Sequence, residues 1–255
     1  MSALEFGISL HRIDDVADAA RHYEDLGYDY VTAGEHVSFN VAVSNSFISL
    51  AVAAGATKRI KLMNSIALVP LYPAALLAKL GAALDVASHG RFHLGVGVGG
   101  EIPREFEACG VPLNERGART NEALGLIKRL WTEQSVTFEG KFNTFNDVSI
   151  APRPTSQPHP PIWVSGRKDA AMRRVARYGD GWLPYMYTTD HLRESVETIA
   201  RMRSEEGNDT PVRTGLFIFF CVHRDGEEAR AQAVRRLSKQ YAQDFSKLEI
   251  GRAHV

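Results

Sequence analysis

The chain has 255 residues, enough for one large domain with a substantial core, and its 30 basic residues balance 30 acidic ones. That balance removes any global electrostatic case for a nucleic-acid or acidic-membrane partner. The two cysteines, Cys109 and Cys221, match no CxxC metal or redox spacing and read as buried thiols. No basic n-region opens the chain, and its longest strongly apolar run, Leu216 to Val222, is too short for a membrane helix; a cytoplasmic location is the expectation.

Apolar runs rich in β-formers alternate with helical patterns, as repeated βα units around a parallel sheet require. Strand one is read at Phe6 to Ser9, followed by a helix from Asp14 to Leu26, where Ile13, Val16, Ala17 and Ala20 recur at helical spacing before Gly27. Strand two is Tyr30 to Ala33. A helix over Phe47 to Ala54 leads to strand three, Ile60 to Ser65, and a helix opening at Pro73 carries Leu76, Leu77, Leu80 and Leu84. Strand four is Arg91 to Val98, and Glu122 to Trp131 forms the next helix. The alternation then breaks. Val136 to Phe138 and Phe142 to Phe145 flank Glu139, Gly140 and Lys141 as a hairpin, and five prolines from Pro152 to Pro161 make a stiff excursion. This stretch, about 132–161, reads as an insertion within one barrel domain of residues 1–249. Beyond it come a strand at Ile162 to Val164, a helix at Asp169 to Tyr178, a strand at Gly181 to Leu183 and a helix at Leu192 to Glu206. A strand at Leu216 to Val222 and a helix from Glu227 to Leu248 follow.

Seven core strands result, one short of a closed (β/α)8 TIM barrel, and an open sheet leaves two edges unpaired. The fold expected is therefore an α/β barrel with an insertion, truncated before the eighth strand. Residues 250–255 coincide with a translated frame of a common sequencing-library adapter and read as a non-native tail.

Catalytic groups of such a barrel project from the C-terminal ends of its strands. After strand two stand Glu35 and His36, and a histidine can accept or donate a proton near neutral pH. After strand three stand Asn64, Ser65 and Ile66, where serine is also a common turn residue. The run from Gly95 through Gly97, Val98 and Gly99 to Gly100 leaves strand four with almost no bulk, which lets a flat ligand lie on backbone or simply relieves crowding in the barrel mouth. It also matches GxGxxG, but it ends a fourth strand and runs into Pro103, the wrong context for a dinucleotide fingerprint. Ser165, Gly166, Arg167 and Lys168 precede a helix and fit either a phosphate cradle or a solvated basic loop. His89 and His93 are separated by Gly90 and a strand, and no HExxH occurs, so no metal site is expected. GxSxG and GxxxxGK[ST] are absent too.

Together these stretches resemble the luciferase-like monooxygenase family, which includes coenzyme F420-dependent reductases and dehydrogenases. The likeness runs from Phe6 to Val222. It rests on Gly34-Glu35-His36, on Arg91 through Gly97, on Glu115-Arg116-Gly117 through Trp131, and on Pro161 through Gly166 followed by Gly179 through Trp182. The resemblance implies a flavin or deazaflavin in the barrel mouth and a small organic substrate. It places His36 as the catalytic group facing the ring, a cis Ser65–Ile66 peptide behind it, and the cofactor's phosphate on Ser165, Gly166 and Arg167. The catalytic glutamate that some F420-using members place directly after GxGxG falls on Gly100 here, leaving Glu101 one position later as the proton-donor candidate. Hydride transfer with F420 is the first reading. An FMN-dependent monooxygenase using oxygen is the alternative, and a non-catalytic flavin-binding or partner subunit the third. Homodimerisation is implied by the resemblance alone.

Overall fold

The computed structural model describes residues 4–11 and 13–246, so the expectation for residues 250–255 lies outside the described residues. In chain order, β1 (Gly7–Ser9) leads to α1 (Val16–Asp25), β2 (Tyr30–Ala33) to α2 (Ser46–Ala56), and β3 (Lys61–Asn64) to a two-residue strand β4 (Ala67–Leu68) and α3 (Ala74–Ala87). Next come β5 (Phe92–Gly97), the short helix α4 (Pro103–Ala108) and α5 (Arg116–Thr132). A hairpin of β6 (Val136–Glu139) and β7 (Thr144–Val148) follows. The chain then continues through β8 (Ile162–Ser165), α6 (Asp169–Tyr178), β9 (Gly181–Leu183), α7 (Thr189–Glu205), β10 (Arg213–Thr214) and α8 (Gly226–Tyr241).

The sheet order is β1-β2-β3-β5-β8-β9-β10, every pair parallel, with β4 alongside β5. Parallel neighbours need crossovers, and the helices that supply them cover the sheet. The strands themselves read as continuous apolar runs because both their faces are buried: all four residues of β2 and all six of β5 are buried. Leu50, Leu77, Leu124 and Ile127 from the helices close over Leu62, Leu94 and Val164 from the strands, each worth roughly 1.5–3 kcal/mol when fully withdrawn from water. Gly95 is obligatory in this wall, because a Cβ there would stand 1.8 Å from the Asn64 carbonyl oxygen. Among the described residues β1 and β10 do not pair with each other, so the sheet is curled but open.

Two expectations need correction, and one element is additional. The strand read at Leu216 to Val222 is not formed. Pairing with β9 involves Arg213 and Thr214, then a single bridge between Tyr185 and Phe217. Phe217 donates its N–H to the Pro184 carbonyl at 2.9 Å, but Pro184 has no N–H for the Gly215 carbonyl, and at Met186 (φ 53°), which would bond back to Phe217, the chain leaves the extended conformation, so the ladder stops. Beyond that point the side chains alternate, with Phe220 70% and Val222 84% exposed. Cys109 and Cys221 are both exposed, not buried: one caps α4 at the surface and the other lies in this unpaired segment. The helix α4 was not anticipated at all. No helix among the described residues is long and apolar enough to cross a membrane.

Candidate active site

The C-terminal ends of β1, β2, β3, β5, β8 and β9 converge on one cavity of about 490 Å³, within the range of small-molecule and cofactor pockets. His36 stands in its wall. Its Nδ1–H donates to both carboxylate oxygens of Glu105 at 3.1 Å, and its ring stacks on Phe39 at 3.9 Å with 3° between planes. Since an ionised carboxylate only accepts, the hydrogen belongs on Nδ1. Nε2 has no protein partner among the described residues and is the atom left for a ligand.

Glu105 is 1% exposed and accepts, besides His36, the backbone N–H groups of Val37 at 2.7 Å and Ser38 at 3.0 Å. It sits in the first turn of α4, where a helix dipole favours a carboxylate and where Pro103 pre-sets the backbone. Sequence reasoning missed it. The only signal was Pro103 at a helix start, and six residues are too few to show a helical period. Glu101, the residue expected there, stands at the cavity's exposed rim and accepts from the Tyr185 hydroxyl at 2.8 Å. Burial, then the Glu101 charge, raises the Tyr185 pKa, so it is a neutral donor.

Glu35 touches the cavity, but its carboxylate serves the scaffold. Oε1 accepts from Leu68 N–H at 3.0 Å, and Oε2 accepts from Ser46 Oγ at 2.6 Å, Tyr72 OH at 3.0 Å, and Asn45 Nδ2 and Ser46 N–H at 3.3 Å. It thereby ties β2 to the start of α2 and to β4. Burial, then the Glu35 charge, raises the Tyr72 pKa, so that hydroxyl too is held protonated.

Of the other expected site residues, Ser65, Ile66, Gly97, Val98, Gly99, Ser165 and Gly166 line the same cavity, and the Ser65–Ile66 peptide is cis. Ile66 lies against Gly97, where a Cβ would meet its Cδ1 at 1.8 Å, so side chain and bare backbone together form an apolar floor. Two residues stand apart from the wall. Asn64 is fully buried behind it, donating from Nδ2 to Ser46 Oγ at 2.7 Å while its Oδ1 has no partner. Arg167 lies outside the lining, its guanidinium over the Tyr185 ring at 4.8 Å and its Nη1 donating to the Met186 carbonyl at 3.4 Å.

An apolar floor, a fixed imidazole and a backbone turn at Gly166 (φ 122°) thus share one cavity. The class so defined is a curled parallel α/β fold with one ring-sized cavity at the C-terminal ends of its strands. The model of the luciferase-like monooxygenases matches residues 4–254, and the chain belongs to that family. It is 28% identical over 89% of its length to the FMNH2-dependent dimethylsulfone monooxygenase of Pseudomonas putida, and spans 63% of that enzyme. The crystal structure of monooxygenase RslO1 from Streptomyces bottropensis superposes with a TM-score of 0.82 at 26% identity, covering 95% of this chain and 79% of that one. An F420-dependent secondary alcohol dehydrogenase superposes with a TM-score of 0.81 at 21% identity, covering 92% and 74%, a likeness of fold.

Proposed function

We propose that the chain carries the flavin site of a reduced-FMN-dependent monooxygenase acting on a small organic substrate. The observation that carries this reading is the His36–Glu105 pair, with Nε2 free in the wall of a cavity floored by Ile66 and Gly97. The choice of reduced FMN over F420 is supported by the dimethylsulfone monooxygenase relative, whose similarity extends over most of the chain. Bound reduced FMN supplies the two electrons that activate oxygen.

The protein's own residues do the rest. Ile66, Val98 and the glycine backbone hold the ring and exclude water from it, which strengthens every polar contact within. His36 Nε2 holds or passes a proton at the reacting edge, while Glu105 keeps Nδ1 protonated and balances the charge when both nitrogens carry hydrogen. Hydride transfer with F420 is the second reading, favoured by the same proton-holding nitrogen, which a carbonyl reduction or alcohol oxidation needs within reach.

Titrating the protein with FMN and with F420 while following cofactor fluorescence separates the two readings; tighter binding of FMN is expected. Oxygen uptake with enzymatically reduced FMN should then rise on adding dimethyl sulfone or a comparable small substrate, and His36→Ala should lose that increment by about 100-fold. Equal turnover in His36→Ala removes the catalytic assignment, and no turnover in the wild type with any substrate leaves a binding subunit.

A further inference from the structure

The cavity floor, Ile66 and Gly97, comes from the ends of β3 and β5. Its wall on the side of the open seam between β1 and β10 is built differently. Phe39 follows β2, Phe217 and Phe219 follow β10, and Tyr241 ends α8; all four line the cavity. We infer that these rings form the substrate wall of the site and select an uncharged aromatic substrate, held beside the open Nε2 of His36.

The inference rests on the flavin reading above and adds a substrate class to it. The four rings touch in a chain: Phe217 meets Phe219 at 5.1 Å and 87°, Phe219 meets Tyr241 at 6.0 Å and 77°, and Tyr241 meets Phe39 at 5.9 Å and 78°. These are edge-to-face contacts, in which the positive edge of one ring meets the negative face of the next. The chain ends on His36, which stacks on Phe39. A further ring placed against it gains from the same electrostatics as well as from buried area, whereas a saturated ring of similar size gains from area alone.

The segment after β10 keeps the alternation of a strand although it forms no ladder. Phe217 and Phe219 line the cavity, while Ile218 and Phe220 between and beyond them are 63% and 70% exposed. All four wall rings are half-buried, which leaves them surface to offer a ligand. The wall is held in place at both ends of the chain of rings: the Asn40 side chain donates to the Gln240 carbonyl at 3.1 Å, which fixes the loop of Phe39 to the helix of Tyr241. The Tyr241 hydroxyl adds no charge, because burial, then the charges of Glu101 and Tyr185, pushes its pKa up to about 12. Carboxylates and cations both touch the cavity, Glu101 on the one hand and Arg236 and Lys239 on the other, so an ion of either sign meets its like there as well as its opposite.

The test is calorimetric titration of the FMN-saturated protein with methyl phenyl sulfone and methyl cyclohexyl sulfone, which share a polar group and differ in the ring. Wild type should bind the phenyl compound about 3–10-fold tighter, whereas burial of area alone would favour the cyclohexyl compound or neither. Phe217→Leu/Phe219→Leu keeps the wall apolar but removes two rings, and it should lose the preference with FMN affinity unchanged. Phe220→Leu, the next residue along but directed outward, should keep it. Equal or tighter binding of the cyclohexyl compound by wild type, a result that needs no variant to fold, overturns the inference alone, as does a preference that survives the double variant. FMN affinity is titrated separately on the same proteins. A wild type that binds no FMN overturns the flavin reading and takes the inference with it.

Discussion

Glu105 and Glu35 are both buried carboxylates at the active-site end of the sheet, yet their hydrogen-bond partners give them different work. At Glu105 the backbone donors Val37 and Ser38 both fall on Oε1, and Oε2 meets only His36. Glu105→Gln can therefore keep both backbone bonds through its carbonyl oxygen and turn its NH2 toward Nδ1. That forces Nδ1 to accept and moves the ring hydrogen to Nε2. The expected outcome is nearly unchanged stability, an inverted His36 tautomer by nitrogen NMR, and a 10–100-fold loss of turnover with flavin affinity within about 2-fold. An unchanged tautomer with lost activity would mean Glu105 acts some other way. At Glu35 both oxygens face donors only. In Glu35→Gln one N–H group must point at another, at a cost of about 1–3 kcal/mol in urea unfolding. A variant as stable as wild type would show that the network relaxes around it.

At the scale of elements, what could be read in advance was what the chain encodes locally. Phe92 to Gly97 and Ile162 to Ser165 are apolar runs bounded by turn residues, and both are central strands. Asn45 caps α2 by accepting the N–H groups of Phe47 and Ile48, a bond made within the segment itself. What escaped depends on distant partners. The run from Leu216 has strand composition, but whether it pairs is decided by the segment after β9, where Pro184 lacks an N–H and Met186 turns out of the extended conformation. Glu105 acquires its role only because α4 carries it across to the loop after β2, 69 residues earlier. Arg167 sits where a phosphate ligand belongs by sequence, and Tyr185, on the next strand's loop, draws it off. Glycines follow the same division between local and distant constraint. Gly95→Ala pushes a methyl into the Asn64 carbonyl, which is backbone and cannot step aside, and should cost about 3 kcal/mol or more. Gly55, within α2, has nothing within 4 Å of a built Cβ, so Gly55→Ala should stabilise by about 0.5–1 kcal/mol. Thermal unfolding of the two variants side by side checks both signs.

Across the whole molecule the two ends of the sheet are specialised in opposite ways. The C-terminal end holds the cavity, while the N-terminal half is plugged by a polar and aromatic cluster that joins five strands. His93 on β5 accepts a hydrogen bond at Nδ1 from Trp163 Nε1 on β8 at 3.0 Å, and Tyr30 on β2 packs edge-on against its ring. Arg213 on β10 lies over Trp163 and donates to the Tyr30 hydroxyl, and Glu5 pairs with both Arg213 and Lys61, the latter on β3. With no strand joining β10 to β1 among the described residues, these contacts tie the far strands together through side chains. Burial, reinforced by Arg213 and Lys61, lowers the His93 pKa from 6.5 to about 3. Between those values the unfolded chain binds a proton that the folded one refuses, so stability rises with pH through that window and is lost as pH falls through it. The loss from this one residue should be about 3 kcal/mol between pH 6.5 and pH 4. His93→Phe removes the titration and leaves Trp163 Nε1 without an acceptor, so it should be less stable than wild type by about 1–2 kcal/mol at pH 7. As the pH falls toward 4 that gap should close or reverse. Urea midpoints at the two pH values decide it: two curves that stay parallel would mean that His93 takes up its proton in the folded chain after all, and that the plug under the active site tolerates the charge.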